Sequence, residues 1–150
     1  MKKLTGKIIL VDDKKYEKQF LELALLDKGW EVKLEYFMSA VDALDYLKKT
    51  QDEIFLIISD MNMPEMNGLD FKKAIDKDLE AKQKSIPFIF SSTDEGKGII
   101  KEAFLYRVQG YFNKTSTPDE QAELLDIIIR YWIICSHPND EFNKDNIKLI

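Results

Sequence analysis

Five short apolar runs alternate with longer segments of helical periodicity along this chain of 150 residues. Short apolar runs separated by helices predict a parallel sheet, because both faces of each strand are then covered. The expected strands lie at 7–11, 31–37, 54–59, 86–91 and 110–113. The expected helices lie at 14–28, 39–47, 71–79, 97–107 and 118–134. The predicted fold class is therefore α/β, with a doubly wound sheet of five parallel strands.

Two of these helices begin with capping signals. Ser39 and Asp42 have the spacing of a capping box at the start of the second helix. The last helix is expected to have Thr117 as its N-cap, Pro118 at its first position and Glu120 closing the box. These signals fix the predicted start of each helix more firmly than periodicity alone does.

The first helix has an apolar stripe that predicts which face is buried. Tyr16, Phe20, Leu23 and Ala24 share one side at helical spacing, and Gly29 follows as a stop signal.

Composition excludes several classes of protein. The net charge of −5 disfavours binding to free nucleic acid, which requires clustered lysine and arginine. The single cysteine, Cys135, cannot build a disulfide framework or a cysteine-based metal site alone, and is best interpreted as an inert thiol at a helix end. The N-terminus lacks a signal-peptide core, and no run is long enough to span a membrane. We expect a cytoplasmic protein.

The length is that of one domain. We expect this domain at 1–134, followed by a short and mostly polar tail at 135–150. The only histidine, His137, falls in this tail and is interpreted as a tail residue rather than a ligand.

Polar side chains stand where the predicted strands end. Asp12 and Asp13 follow the first strand, Asp60 follows the third, Ser92 follows the fourth and Lys114 follows the fifth. Each of these residues alone has an ordinary structural explanation as a turn, a cap or a solvated side chain. Because parallel strands end at one edge of a sheet, the five together are expected to converge there.

Three converging carboxylates repel one another unless one of them keeps a proton or a cation lies among them. Oxygen ligands favour a hard ion, and a partly hydrated site favours Mg²⁺. A carboxylate beside Mg²⁺ and an ammonium group is suited to phosphoryl transfer, with Asp60 as the nucleophile.

Four sequence segments together resemble the receiver domains of two-component response regulators. They are "IILVDD", "LIISDMNMPEMNG", "IPFIFSST" and "GYFNK", and the resemblance extends over 7–132. It implies a flavodoxin-like (βα)5 fold and a signalling protein rather than an enzyme, which takes a phosphoryl group from a sensor histidine kinase or a histidine phosphotransfer protein. The short tail adds the expectation of a stand-alone receiver.

The resemblance also implies roles for single residues. Asp60 corresponds to the phosphoacceptor. Asp13 corresponds to a direct Mg²⁺ ligand, Asp12 to an acidic neighbour that acts mainly through water, and the backbone carbonyl of Asn62 to a further ligand.

The remaining roles concern the response to phosphorylation. Ser92 matches the switch hydroxyl, Tyr111 the switch aromatic residue and Lys114 the family lysine. The family usually has proline after this lysine, often with a cis bond, whereas Thr115 follows here. Since a cis bond before a residue other than proline costs about 3–4 kcal/mol, we expect the loop after Lys114 to differ.

Two other functions compete with this interpretation. A Mg²⁺-dependent phosphatase of the haloacid dehalogenase kind would use an aspartyl nucleophile, but it needs a second acid where this chain has Asn62. A flavin-binding protein of the same fold would need a phosphate loop after the first strand, where this chain has the acidic start of "DDKKYEKQ".

Output is expected to leave through the face formed by 97–134, towards a second copy of the chain or a downstream protein. Gly96 and Gly98 weaken the start of the helix at 97–107, and the last helix is apolar on more than one side. Its first side consists of Ala122, Leu125, Ile129 and Trp132, and the second of Leu124, Ile127, Ile128 and Tyr131. The alternative is that neighbouring helices or the tail residues Phe142, Ile147 and Leu149 cover the second side.

Overall fold

The sheet of this computed structural model has five parallel strands in the order β2-β1-β3-β4-β5. The structure describes residues 1–138 and 146–149. The strands are β1 Lys2–Val11, β2 Trp30–Phe37, β3 Ile54–Ser59, β4 Phe88–Ser92 and β5 Gly110–Asn113. The helices are α1 Tyr16–Asp27, α2 Ala40–Lys49, α3 Gly68–Ala81, α4 Lys97–Leu105 and α5 Pro118–Ile134, and a 3₁₀ turn follows at Ile147–Leu149.

Each face of the sheet carries its own apolar core, which confirms the predicted doubly wound, flavodoxin-like arrangement. On one face Ile8 and Leu56 pack with residues of α1 and α5 such as Leu25 and Ile129. On the other face the core contains residues of α2, α3 and α4. Strand residues therefore alternate between two buried cores, which explains why β3 is apolar along its length.

The predicted caps are confirmed. Ser39 Oγ accepts a hydrogen bond from the backbone N–H of Asp42 at 3.1 Å. Thr117 Oγ1 accepts one from Glu120 N–H at 3.2 Å, and Pro118 stands at the first position of α5. α4 ends at Leu105 rather than 107.

The predicted buried face of α1 is confirmed only at Ala24. The buried residues are Leu21, Ala24 and Leu25, while Tyr16, Phe20 and Leu23 are exposed. α1 packs against α5 and β2 through the stripe that contains Leu21 and Leu25. Both stripes are apolar in the sequence, so periodicity alone does not decide between them.

β1 begins at Lys2, five residues before the predicted start at 7. Its register shifts between Lys3 and Lys7, and Gly6 in this segment has a φ of 94°. The polar composition of residues 2–7 hides this extension, because only Leu4 of the first six residues belongs to the core.

Two described tail residues, His137 and Asn146, pack against the domain instead of extending into solvent. His137 is buried, its ring stacks on that of Phe55 with centroids 5.1 Å apart, and its Nε2 lies 2.8 Å from the Phe55 carbonyl oxygen. Asn146 is also buried and hydrogen-bonds to Thr5. That His137 is not a ligand stays a prediction. Its interpretation as a tail residue did not include the packing against Phe55 that the structure shows.

The second apolar side of α5 is divided. Ile128 is buried and Leu124 is partly buried, whereas Ile127 and Tyr131 are exposed. Leu149 packs against the core and Ile147 is exposed, while Phe142 lies outside the described residues. Within 1–138 and 146–149, no helix has the length and apolarity needed to cross a membrane.

Candidate functional site

Three carboxylates meet at the carboxyl ends of β1 and β3. One oxygen from each of Asp12, Asp13 and Asp60 lies within 4.8 Å of the other two. Asp12 and Asp60 are 2% and 3% exposed, and Asp13 stands at the opening of the site. The convergence predicted from the strand ends is therefore present, and an all-oxygen donor set of this kind fits a hard divalent ion such as Mg²⁺.

The Asp60 carboxylate is held in place by its surroundings. The backbone N–H of Asp60 donates to the carbonyl of Val11 at 2.8 Å, and its Oδ1 accepts from the N–H of Met61 at 2.8 Å. Ser59 Oγ donates to the Asp60 carbonyl at 2.8 Å. Oδ2 lies 3.7 Å from the ammonium groups of Lys14 and Lys114, so the strand end presents this oxygen to the charged groups of the site.

Gly68 packs directly under this strand end. A Cβ at this position would lie 2.4 Å from the Asp60 carbonyl oxygen and 2.9 Å from the Cα of Met61. The N–H of Gly68 also donates to the carbonyl of Met61 at 2.7 Å. Only glycine allows the start of α3 to approach the β3 loop this closely.

Lys114 is the buried cation of the site. Its Nζ lies 2.7 Å from Asp12 Oδ2, 3.6 Å from Glu17 Oε1 and 3.7 Å from Asp60 Oδ2. Burial works to lower the pKa of Lys114, but Asp12, Asp60 and Glu17 outweigh it and raise the pKa. Burial raises the pKa of the Asp12 carboxyl although Lys114 opposes this change.

Lys14 supplies a second cation that sequence interpretation missed. Its Nζ lies 3.5 Å from Asp13 Oδ1 and 3.7 Å from Asp60 Oδ2, and its side chain is 43% exposed. The backbone N–H of Lys14 donates to Asp12 Oδ1 at 3.0 Å. Burial works to lower the pKa of Lys14, while Asp60 and Asp13 raise it overall. Its position directly after the acidic pair was the available signal.

Ser92 and Tyr111 are linked through the loop after β4. Ser92 is fully buried, and its Oγ accepts from the backbone N–H of Asp94 at 3.1 Å. Tyr111 Oη donates to the carbonyl of Asp94 at 2.6 Å. The side-chain amide of Asn62 donates to Asp94 Oδ2 at 3.3 Å. Asp94 therefore joins three of the predicted residues, although its own sequence context gave no signal for this role.

The loop after Lys114 has no cis bond, because every peptide bond in the described residues is trans. The backbone N–H of Lys114 donates to the carbonyl of Ser92 at 2.9 Å. The Thr115 hydroxyl lies 2.9 Å from Gln121 Oε1 and donates to it. The expected departure from the usual family loop thus takes the form of a trans bond and a threonine bound to the first turns of α5.

Comparison with known proteins identifies the same kind of domain that the acidic cluster and its lysine indicate. The family model of the response regulator receiver domain matches residues 8–126. This chain belongs to the response regulator receiver family. The receiver match spans β1 to the middle of α5, so all the side chains of the candidate site lie within it.

Two curated relatives of this receiver are chemotaxis proteins. It is 32% identical over 125 residues to chemotaxis protein CheY1 of Helicobacter pylori strain 26695, which covers 82% of this chain and 96% of the relative. It is also 32% identical over 123 residues to the CheY homolog of Campylobacter jejuni strain 81-176, which covers 82% of this chain and 92% of the relative. The receiver is therefore homologous to CheY-type regulators, and the phosphatase alternative is not favoured.

Solved structures share the receiver fold. A phosphorylated cyanobacterial phytochrome response regulator, RcpA, superposes with a TM-score of 0.76 at 22% identity and covers 87% of this chain and 95% of its own. Chemotaxis protein CheY4 of Vibrio cholerae has a TM-score of 0.67 at 26% identity and covers 83% of this chain and 98% of its own.

Proposed function

We propose that this receiver accepts one phosphoryl group on Asp60 in a Mg²⁺-dependent reaction and signals through phosphorylation-dependent contacts with other proteins. The observation that supports this most directly is the position of Asp60 Oδ2, which lies 3.7 Å from Lys114 Nζ. The donor is a phosphohistidine on a sensor histidine kinase or a histidine phosphotransfer protein.

The transfer requires one bond to form and one to break. The Asp60 carboxylate attacks phosphorus and the bond from phosphorus to the histidine nitrogen breaks. The phosphohistidine ring carries a proton on its other nitrogen, so it leaves as neutral imidazole and no further proton is needed. The product is an acyl phosphate on Asp60. The protein acts only on its own phosphorylation and dephosphorylation, so we regard it as a signalling domain.

The chain's own side chains position the phosphoryl group. Lys114 offsets negative charge on its oxygens, and Ser92 donates a hydrogen bond to one of them. Asp12, Asp13, Asp60 and the backbone carbonyl of Asn62 would hold Mg²⁺, which offsets charge on the transferred group when bound. The acidic cluster, with its oxygens within 4.8 Å, supports this ligand set.

The exposed side of α1 supports a docking site for the phosphodonor protein. Tyr16 and Phe20 line a cleft that also contains Lys114 and Pro118, so apolar surface adjoins the mouth of the acidic site. Aromatic side chains at an accessible edge are typical of protein contacts. A partner that rests on α1 would bring its phosphohistidine to Asp60.

The output face is formed by α4, β5 and α5. Leu105 is 72% exposed, and Ile127 and Tyr131 are also exposed. Phosphorylation would draw Ser92 towards the phosphoryl group, and Tyr111, which is tied to the same loop, would move with it. The partner is a second copy of the chain or a downstream protein. This proposal includes a receiver domain at 1–134 with a tail at 135–150, and a cytoplasmic location.

The central test is incubation with acetyl phosphate and Mg²⁺ followed by intact mass measurement. The parent protein should gain the mass of one phosphoryl group, whereas Asp60→Asn and a parent sample with excess EDTA should not. Asp45→Asn, which changes an exposed carboxylate of α2, is the matched control and should be labelled like the parent. Labelling of Asp60→Asn, or labelling that EDTA leaves undiminished, would overturn the assignment.

The output face is tested by light scattering and by pull-down of a candidate partner, with and without beryllofluoride as a phosphoryl mimic. Self-association or partner binding should change on addition of the mimic. Tyr131→Glu should remove this change, whereas Leu23→Glu on α1 should keep it. An unchanged response in Tyr131→Glu, or no response in the parent, counts against this face.

A further inference from the structure

We propose that Lys14 is a resident counter-cation of the acidic cluster, which neutralises Asp13 and Asp60 when no divalent ion is bound and is displaced when Mg²⁺ binds. Lys14 therefore sets the concentration of Mg²⁺ that the receiver needs. This inference rests on the proposed function, because it concerns the metal that phosphorylation requires.

The contacts of Lys14 support this role. Its Nζ lies 3.5 Å from Asp13 Oδ1 and 3.7 Å from Asp60 Oδ2, so the ammonium group faces two of the three carboxylates that could hold a metal ion. A divalent ion held by these carboxylates would compete with the ammonium group for the same charge. Two cations at such short range repel, so one weakens the binding of the other.

Lys14 is also free to leave, which Lys114 is not. The Lys114 side chain is 10% exposed and is held by Asp12 at 2.7 Å, whereas the Lys14 side chain is 43% exposed and its ion pairs with Asp13 and Asp60 are longer. The backbone of Lys14 is fixed by the hydrogen bond from its N–H to Asp12 Oδ1. Because the backbone of Lys14 is fixed and its side chain is flexible, the ammonium group can rotate into solvent without a change in the backbone of the loop.

The adjacent lysine provides a matched control. Lys15 is exposed and stands one position further along the same loop, before the start of α1. Neutralisation of Lys15 changes the net charge by the same amount as neutralisation of Lys14. A comparison of the two variants therefore separates the specific contact from the general effect of charge.

The first experiment is calorimetric titration of the full chain with MgCl₂. Lys14→Gln should bind Mg²⁺ about three- to tenfold more tightly than the parent, since it removes a competing cation. Lys14→Arg keeps the charge and should bind like the parent, as should Lys15→Gln. If Lys14→Gln binds no more tightly than Lys15→Gln, the proposal fails, and weaker binding would show that Lys14 helps to hold the metal instead.

The second experiment is thermal unfolding of the same variants. In EDTA, Lys14→Gln should have a lower melting temperature than Lys15→Gln, because its carboxylates have lost a counter-ion. In saturating Mg²⁺ this difference should disappear or reverse, since the metal stabilises the state that binds it. A deficit of equal size in both conditions would mark Lys14 as a structural residue and overturn the proposal.

These readouts are separate from the test of the proposed function. Phosphoryl labelling of Asp60→Asn would defeat the function but leave the ratio of Mg²⁺ affinities between Lys14→Gln and Lys15→Gln to be measured. An unchanged ratio would defeat the role of Lys14 while the parent still gains its phosphoryl group. If neither the parent nor Lys14→Gln binds Mg²⁺, the role of Lys14 is also refuted.

Discussion

The ammonium group of Lys114 lies 2.7 Å from Asp12 Oδ2, and both side chains are nearly buried. The two residues are 102 positions apart in the sequence. The distance from Lys114 Nζ to Asp60 Oδ2 is 3.7 Å. The lysine is thus paired with one carboxylate while it stays within reach of another. A new negative charge on Asp60 would compete for it.

We expect Lys114→Met to slow phosphorylation of Asp60 by about a hundredfold, because the variant lacks the cation that offsets charge on the transferred group. It should also raise the pKa of Asp12 further, since Lys114 opposes the effect of burial there. The rate of mass gain with acetyl phosphate and Mg²⁺ measures the first effect. Lys101→Met, at an exposed position of α4, is the control, and equal rates in the two variants would contradict the role of Lys114.

We expect Asp13→Ala to weaken Mg²⁺ binding by about tenfold or more, and Asp12→Ala to weaken it less. Asp12 is already engaged by Lys114 at 2.7 Å and by the N–H of Lys14 at 3.0 Å, whereas the Asp13 carboxylate contacts the exposed and displaceable ammonium group of Lys14 at 3.5 Å. Calorimetry is the appropriate measurement, with Asp27→Ala at the end of α1 as the control. Equal affinities in all three variants would argue against a metal at this cluster.

Two glycines should respond to alanine in opposite directions. Gly68→Ala places a Cβ 2.4 Å from a backbone oxygen and should destabilise the protein by about 1–3 kcal/mol. Gly98 lies within α4, and a methyl group added there would point into open space, so Gly98→Ala should stabilise the protein by about 0.5–1 kcal/mol. Urea unfolding measures both, and a neutral Gly68→Ala would show that the loop after β3 yields without strain.

The acid stability of the protein should depend on Asp126. Burial works to raise the pKa of this carboxyl, but Trp30 Nε1 donates to it at 2.7 Å and Arg130 Nε at 2.9 Å, and the net effect is a pKa below 3.8. A folded-state pKa below the unfolded value gives a stabilisation that is complete above the unfolded pKa and is lost as the pH falls through the folded pKa.

Asp126→Asn should therefore lower the free energy of unfolding by about 1–2 kcal/mol at neutral pH, and this difference from the parent should shrink as the pH falls below 3.8. Urea unfolding followed by tryptophan fluorescence, from Trp30 and Trp132, measures this difference. Glu31→Gln, which removes one negative charge at an exposed position next to Trp30, is the matched control. A gap of constant size would mean that the charge of Asp126 is not its source.

The sequence predicted the sheet and the convergence of the acidic residues because both follow from the strand ends. Asp12, Asp60, Ser92 and Lys114 each follow or end an apolar run, so a parallel sheet brings them together without further information. The same logic could not find Asp94 or Lys14. Asp94 acts through a loop whose shape no periodicity specifies, and the ammonium group of Lys14 reaches Asp60 only because its flexible side chain folds back.

The prediction of the buried face of α1 was wrong at Phe20 and Leu23 for a different reason. Phe20 and Leu23 are as apolar as Leu21 and Leu25, so composition favours neither stripe, and the position of α5 decides which is buried. A surplus of apolar residues on a helix that is already buried on one side is thus a signal of exposed contact surface. Applied to the second apolar side of α5, this signal holds for Ile127 and Tyr131, which are exposed. It does not hold for Ile128, which is buried, or for Leu124, which is partly buried.

The pairing of Asn146 with Thr5 has a consequence for association between chains. β1 pairs with β3 only from Lys7 onward, so its first residues extend past their neighbour on that side. Asn146 Oδ1 accepts from the Thr5 N–H at 2.8 Å and Nδ2 donates to the Thr5 carbonyl at 3.3 Å, as a peptide group of an adjoining strand would. An overhanging strand with free backbone groups invites another chain to add to it. At Thr5 those groups are already bound to Asn146, so this amide side chain blocks the addition of another strand at that residue.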